Sequence, residues 1–271
     1  MFDLLSSLLR EQNIELFGAI SLSDCKIIKP YLLERAKISS DSGTVVIMAI
    51  PYMVKDTEAK NISEYATARD YHVFCSSLFD AVLPKLRDAY PQNTFCGFAD
   101  HSPIDEIDAA AKCGVGVIGK HGLLITEKYS SFIFIAEIIT DLVFDKKCSD
   151  AKACEGCGLC QKACPVGLKK SECLSAVTQK KGSLSEEDIA LMKKYGTAWG
   201  CDICQMACPH TKIAIKNGTV FSPIPFFSQA RTPLLTYDIV KEMSDEEFSS
   251  RAYSWRGREV ISRNLKVLDD N

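Results

Sequence analysis

No stretch of this sequence is both long enough and apolar enough to cross a bilayer. The longest apolar run, Phe132 to Ile139 (FIFIAEII), is interrupted by Glu137 and falls far short of the roughly 20 residues a spanning helix needs. The first residues, MFDLLSSLLREQNIELFG, lack a basic leader, a long apolar region and a cleavage site, which predicts a cytoplasmic protein. A basic surplus is missing as well. With 32 Lys and Arg against 35 Asp and Glu, the formal net charge is -3, so there is no global electrostatic footprint for nucleic acid and any RNA contact must come from a local patch.

Cysteine, by contrast, is plentiful: there are 13, and eight fall between residues 154 and 208. In a cytoplasmic chain such crowding favours metal over disulfides. Cys154, Cys157, Cys160 and Cys164, followed by Pro165, give C-x2-C-x2-C-x3-C-P. In this bacterial ferredoxin run three thiolates hold one 4Fe–4S cluster and the fourth crosses to another. Zinc sites more often use two separated pairs, whereas here Cys201, Cys204, Cys208 and Pro209 repeat the ferredoxin ending. Ala198 stands where the second run would have its first cysteine. The runs therefore supply seven thiolates for two clusters that need eight. Cys173 is the nearest spare. This count assigns Cys154, Cys157, Cys160 and Cys208 to one cluster and Cys164, Cys173, Cys201 and Cys204 to the other, with Cys148 as the alternative eighth ligand. Cys25, Cys75, Cys96, Cys113 and Cys148 otherwise read as small buried hydrophobes.

Around this module the composition divides the chain. Residues 1 to about 36 carry apolar residues at helical spacing (Leu4, Leu5, Leu8, Leu9), TVVIMAIPY reads as a buried strand, residues 62–90 are again helical, and Phe132 to Thr140 reads as a central strand. From about 146 Lys, Cys and Gly replace long apolar runs, as in a small domain stapled by metal. The predicted class is α+β, with a mixed α/β domain over 1–145, a ferredoxin-like double-cluster domain over 146–215 and a helical segment over 216–271. That last segment contains TPLLTYDIVKEMSDEEF and a basic tail of Arg251, Arg256, Arg258, Arg263 and Lys266, which reads as a solvated helix face or a phosphate contact. Gly114, Gly116 and Gly119 form G-x-G-x-x-G, but a strand follows and no acidic residue sits in a Rossmann context, which argues against a dinucleotide site.

The segments TVVIMAIPY, YATARDYH, ADHSPIDE, GVGVIGKHGLLIT and SSFIFIAEIITDL, both cysteine runs with GCDICQMACP, and the late ISRN occur in an order that resembles the epoxyqueuosine reductases of queuosine tRNA modification. The resemblance implies two 4Fe–4S clusters with the eighth thiolate in ECLSAVT, at Cys173. It also implies a cobalamin whose cobalt, reduced by the clusters, attacks the epoxide, and an aspartate, here Asp100, that protonates the epoxide oxygen. Asp100 read alone is equally a turn or helix-capping residue. The resemblance further implies cofactor contacts from Gly119, Lys120 and Asp202, with His101 and His121 lining the same region, whereas His72 and His210 read as structural. The implied partners are tRNA and an electron donor such as ferredoxin or flavodoxin, with no membrane. A ferredoxin-like electron carrier, or a reductive activator of a corrinoid protein, is the alternative reading of the same cysteines.

Overall fold

The computed structural model describes residues 2–56, 58–143 and 149–269. Twelve α-helices and six strands are placed among them: α1 (Phe2–Glu11), β1 (Leu16–Ser21), α2 (Pro30–Ala36), β2 (Thr44–Pro51), α3 (Tyr71–Ala89), β3 (Phe95–Ala99), α4 (Glu106–Lys112), β4 (Val117–Ile118), β5 (Leu124–Ile125), β6 (Ile133–Thr140), α5 (Leu159–Ala163), α6 (Leu174–Thr178), α7 (Glu186–Tyr195), α8 (Ile203–Met206), α9 (Pro209–Asn217), α10 (Tyr237–Glu242), α11 (Asp245–Ser249) and α12 (Arg258–Asp269). None of these helices is long and apolar enough to cross a membrane.

Four strands form one antiparallel sheet in the order β1-β2-β6-β3. The uninterrupted apolar run of β2 is explained by its central place, since every one of its residues is buried and a strand covered on both faces needs no polar alternation. α1 and α3 cover one face, packing Leu5, Leu9, Leu78 and Leu86 against Val46, Met48 and Ala136. The segment around α2 and the small-residue helix α4 cover the other, against Val45, Ile47, Ile135 and Ile139. α3 starts at Tyr71 because Asp70 accepts the backbone N–H of His72, capping the helix.

Residues 1–36 are not continuously helical. LFGAIS forms the edge strand β1, and β3 (FCGFA) is a second strand that periodicity does not reveal. Both are short and contain glycine. At Gly97 the missing side chain is a packing requirement, because a Cβ there would lie 2.5 Å from the Phe79 ring.

After the cysteine-rich segment the chain returns to the sheet. Ala214, Val220, Ile224 and Phe227 complete the core beside α3. TPLLTYDIVKEMSDEEF is two short helices, α10 and α11, each with its own N-cap, Thr236 and Ser244. With α12 they enclose Trp199 together with Ile62 and Ala66.

Candidate functional site

The cysteines form two quartets. Cys154 and Cys157 lie on the loop leading into α5, where Gly156 and Gly158 adopt left-handed φ values of 69° and 77°, Cys160 lies in the first turn of α5, and Cys208 at the N-cap of α9 closes the group. These four line one cavity with Lys120, His121 and His210. Burial, then the charges of Cys208, Cys154 and Cys157, push the Cys160 thiol up, against the backbone N–H of Gln161. In the second group Cys201 and Cys204 face Cys164 and Cys173, and burial with these neighbours raises them to about 11 and about 12. Cys164 follows α5 and Cys173 caps α6. The exchange is reciprocal, because the last cysteine of each run joins the other group across the packed pair α5 and α8. Cys148 lies outside the described residues.

Eight cysteines in two groups suit clusters, whose thiolates are spread around a cube, and not a single metal ion, for which no group of three or more His, Cys, Asp or Glu is placed among the described residues. Thiols crowded and buried in this way stay protonated when free, and a bound metal that stabilises the thiolates removes that penalty. A first outer contact is present too, in the Lys120 backbone N–H that donates to Cys154 Sγ at 3.3 Å. It comes from the glycine stretch, which folds as the hairpin β4–β5 with Ile118 paired to Ala153. A hairpin follows Gly119 where a dinucleotide site would have a helix.

His121 sits inside this hairpin. Its Nδ1 accepts the N–H of Leu123 at 3.2 Å, Nε2 is buried without a partner, and burial lowers its pKa. Gly119 has no room for a side chain, as a Cβ would lie 2.5 Å from the His121 ring. Asp202 lies beside Cys201 on a cleft of about 440 Å³ shared with Lys60, Ser63 and Tyr195. Its carboxylate accepts from the Ser63 hydroxyl, from the Glu64 N–H at 2.6 Å and from Gln205 at 3.2 Å. It thus ties the cysteine module to residues 61–66, where Ser63 N–H also donates to Trp199 O and Ala198 N–H to Asn61 O. Gly200, at φ 72°, lets the chains approach, since a Cβ would lie 2.5 Å from that of Ser63.

Asp100 occupies the turn after β3. It is exposed, in a left-handed conformation at φ 61°, and is not a helix cap, a role taken by Asp105 for α4. Lys29, which can only donate, reaches His101 Nδ1 at 3.2 Å, so Nε2 carries the proton toward Tyr31 Oη at 3.0 Å. Toward Asp100 face Tyr71, raised by burial first and by this carboxylate second, and His72, raised mainly by its contact with Asp70 at 2.7 Å. Phe134 stacks on Tyr71 at 4.0 Å and meets Tyr52 at 4.5 Å, and Tyr52 faces Asp202. A wall of rings therefore runs from the cysteine module to Asp100.

The basic tail is largely internal. Arg251 is buried on Glu247 and Ala230 O, Arg258 holds Val240 O and Asp245, and Arg263 holds Gly182 O and Asn264. Arg256 instead stacks on the exposed Trp255, 3.8 Å from the ring centre.

A 4Fe-4S binding domain model matches residues 149–169. The epoxyqueuosine reductase of Lactococcus garvieae is 25% identical over 96% of this chain and 84% of its own length. That of Listeria monocytogenes is 28% identical over 85% of this chain. Over most of its length the chain is similar to the epoxyqueuosine reductases. It spans 65% of the Listeria relative's length. The crystal structure of an epoxyqueuosine reductase with an epoxyqueuosine-modified tRNA-Tyr stem loop superposes with a TM-score of 0.76 at 21% identity, covering 98% of this chain and 81% of that one. The fold is thus that of the epoxyqueuosine reductases, and the chain carries an iron–sulfur domain. Glu106, which faces Asp100, and Glu137, which faces Glu106, fall within the segments ADHSPIDE and SSFIFIAEIITDL; no spacing marks either as a site residue, and only Glu137 stands out, as a charge inside an apolar strand.

Proposed function

We propose that this protein is an epoxyqueuosine reductase, acting on cytoplasmic tRNA. The observation that carries the reading is the docking of two cysteine quartets, through residues 61–70, onto the sheet domain that presents Asp100. Each quartet would hold one 4Fe–4S cluster: Cys154, Cys157, Cys160 and Cys208 the first, Cys164, Cys173, Cys201 and Cys204 the second. Cobalamin, when bound, supplies the nucleophile for the epoxide carbon. The half-buried ring faces of Tyr71 and Phe134 suit a flat macrocycle, which His101, Gly119, Lys120, His121 and Asp202 would help to hold.

Turning an epoxide into an alkene and water takes two electrons and two protons. A one-electron donor of the ferredoxin or flavodoxin class suits the electrons, and Asp100 delivers a proton to the epoxide oxygen as its bond to carbon breaks. Exposure at a turn leaves that carboxyl open to a bulky substrate. With three of the tail arginines engaged internally, Arg256 on Trp255 and the exposed Lys266 are the tail groups left to meet tRNA phosphate.

The test is anaerobic incubation of reconstituted protein with cobalamin, a low-potential reductant and epoxyqueuosine tRNA, followed by nucleoside mass spectrometry. Loss of one oxygen is expected, and Asp100→Asn should slow it by about a hundredfold or more with iron content unchanged. Clusters that reduce without any loss of oxygen would make the protein an electron carrier. Full turnover in Asp100→Asn would remove Asp100 as the acid.

A further inference from the structure

Glu137 stands mid-strand in β6, fully buried, between Ile47 of β2 and Phe98 of β3. Alternation places its side chain on the face of Ile135 and Ile139, under the alanines of α4. Neither carboxylate oxygen has a hydrogen-bond partner, and Ser102 gives its charged form only minor support. Glu106 opens α4 above it, and its Oε2 is likewise buried without a partner. An apolar side chain at position 137 would fill the same space without the cost of burying a carboxyl group, so packing does not explain the pair.

The charged neighbours give it a direction. Burial, then Glu106, raises Glu137 to about 8. Burial, then Asp100 and Asp105, raises Glu106 to about 7, with Lys29 acting the other way. On α3, across the sheet, Tyr71 lies near enough to feel the charge of Glu106, and Cys75 the charges of both glutamates. Glu106 therefore stands between the fully buried Glu137 and the exposed Asp100.

We propose that Glu106 and Glu137 share a proton and form a buried reservoir that recharges Asp100 during turnover. This rests on the proposed function. Reduction of one epoxide consumes two electrons from the one-electron donor and two protons. One proton goes to the epoxide oxygen as its C–O bond breaks, and the other to the resulting hydroxyl as it leaves as water and the alkene forms. Asp100 holds one proton at a time. After the first transfer Glu137 passes the shared proton through Glu106 to the Asp100 carboxylate, and solvent returns one proton to the emptied pair. The glutamates act through Asp100 and do not touch substrate.

Two measurements on the reconstituted protein decide this. Infrared difference spectra between pH 6 and 9 should show a carboxylic-acid C=O band in the wild type that is still present near neutral pH and absent from Glu137→Gln. No such band overturns the reservoir, whatever the substrate. In the tRNA assay, Glu137→Gln and Glu106→Gln, which mimic the uncharged glutamate in shape, should keep the single-turnover yield but lower the steady-state rate by about tenfold or more. They should also lose the alkaline fall of the wild-type rate, expected above about pH 8 where Glu137 ionises. A wild-type protein that reduces the epoxide, with both variants matching it in rate and pH profile, overturns the reservoir alone. A wild type that leaves the epoxide intact overturns the reservoir together with the function on which it rests.

Discussion

The replacement Glu137→Gln should stabilise this protein at alkaline pH. A carboxyl that ionises near 4.5 when unfolded and near 8 when folded divides the pH scale into three parts. Below 4.5 both states hold the proton. Between 4.5 and about 8 the unfolded chain releases it while the folded chain keeps it, so stability falls as pH rises, by about 1.4 kcal/mol for each pH unit. Above about 8 the loss is complete, at about 4 to 5 kcal/mol. Glutamine does not titrate, so the variant should lack this slope. The smaller contribution of the part-buried Glu106, raised to about 7, should also shrink, because its charged neighbour has gone. With a urea m-value of about 3 kcal/mol/M for a domain of this size, the midpoint of Glu137→Gln should exceed that of wild type by about 1.5 M at pH 8.5. At pH 5 the two should nearly coincide. Anaerobic urea titrations followed by far-ultraviolet circular dichroism at four pH values would measure this. Parallel curves, or a variant less stable at every pH, would refute the assignment of an uncharged buried glutamate.

Cys173→Ser should leave the first quartet intact and empty the second, halving the iron per chain after complete reconstitution; an unchanged iron count would move the eighth ligand elsewhere. Arg231→Met should cost about 3 kcal/mol or more, because Arg231 is paired with Asp56 and Glu64 in a buried network with Lys60, and a thermal midpoint equal to wild type would show the network to be idle. Burial works to raise Asp56, but its contacts with Arg231 and Lys60 outweigh it and hold the carboxyl below 3.8. Its contribution is therefore present above about pH 4 and lost as pH falls through the lowered value, a trend that Arg231→Met should flatten.

The iron–sulfur domain was legible because the spacing of Cys154, Cys157 and Cys160 suits a cube. Three thiolates two residues apart can converge only on something close, and Pro165 and Pro209 mark where the fourth turns away. The central strands were legible for a related reason, as β2 after Thr44 has no polar residue to place on either face. β1 and β3 were not, because edge strands that pair on one side tolerate glycine and mixed polarity, and their place depends on partners far along the chain. The basic tail misled in the same way. Arginines at 251, 258 and 263 read as a solvated surface until backbone carbonyls at 230, 240 and 182 are brought beside them. Glu106, although it ends the segment ADHSPIDE, has no spacing that foretells its burial, whereas Glu137 had a signal, a lone acid inside a strand otherwise destined for the core.

Residues 61–72 run from the cysteine module to the start of α3, beside Asp100. Ile62 pairs with Trp199, Tyr65 Oη accepts from the Trp199 indole at 2.7 Å, Thr67 accepts from Arg231, and Asp70 N–H donates to Ser250 O. The segment then enters α3, where Asp70 orients His72, and Tyr71 faces Asp100. Its own backbone is held chiefly by the second half of the chain, so the start of α3 is placed only when Trp199 and the helices around it are in position. Burial of Trp199 and Tyr253 in that contact supplies several kcal/mol of apolar stabilisation. That is enough to make folding of the cysteine module a condition for ordering the ring wall beside Asp100. The group that would deliver electrons and the group that would deliver the proton are therefore aligned by a single packed segment.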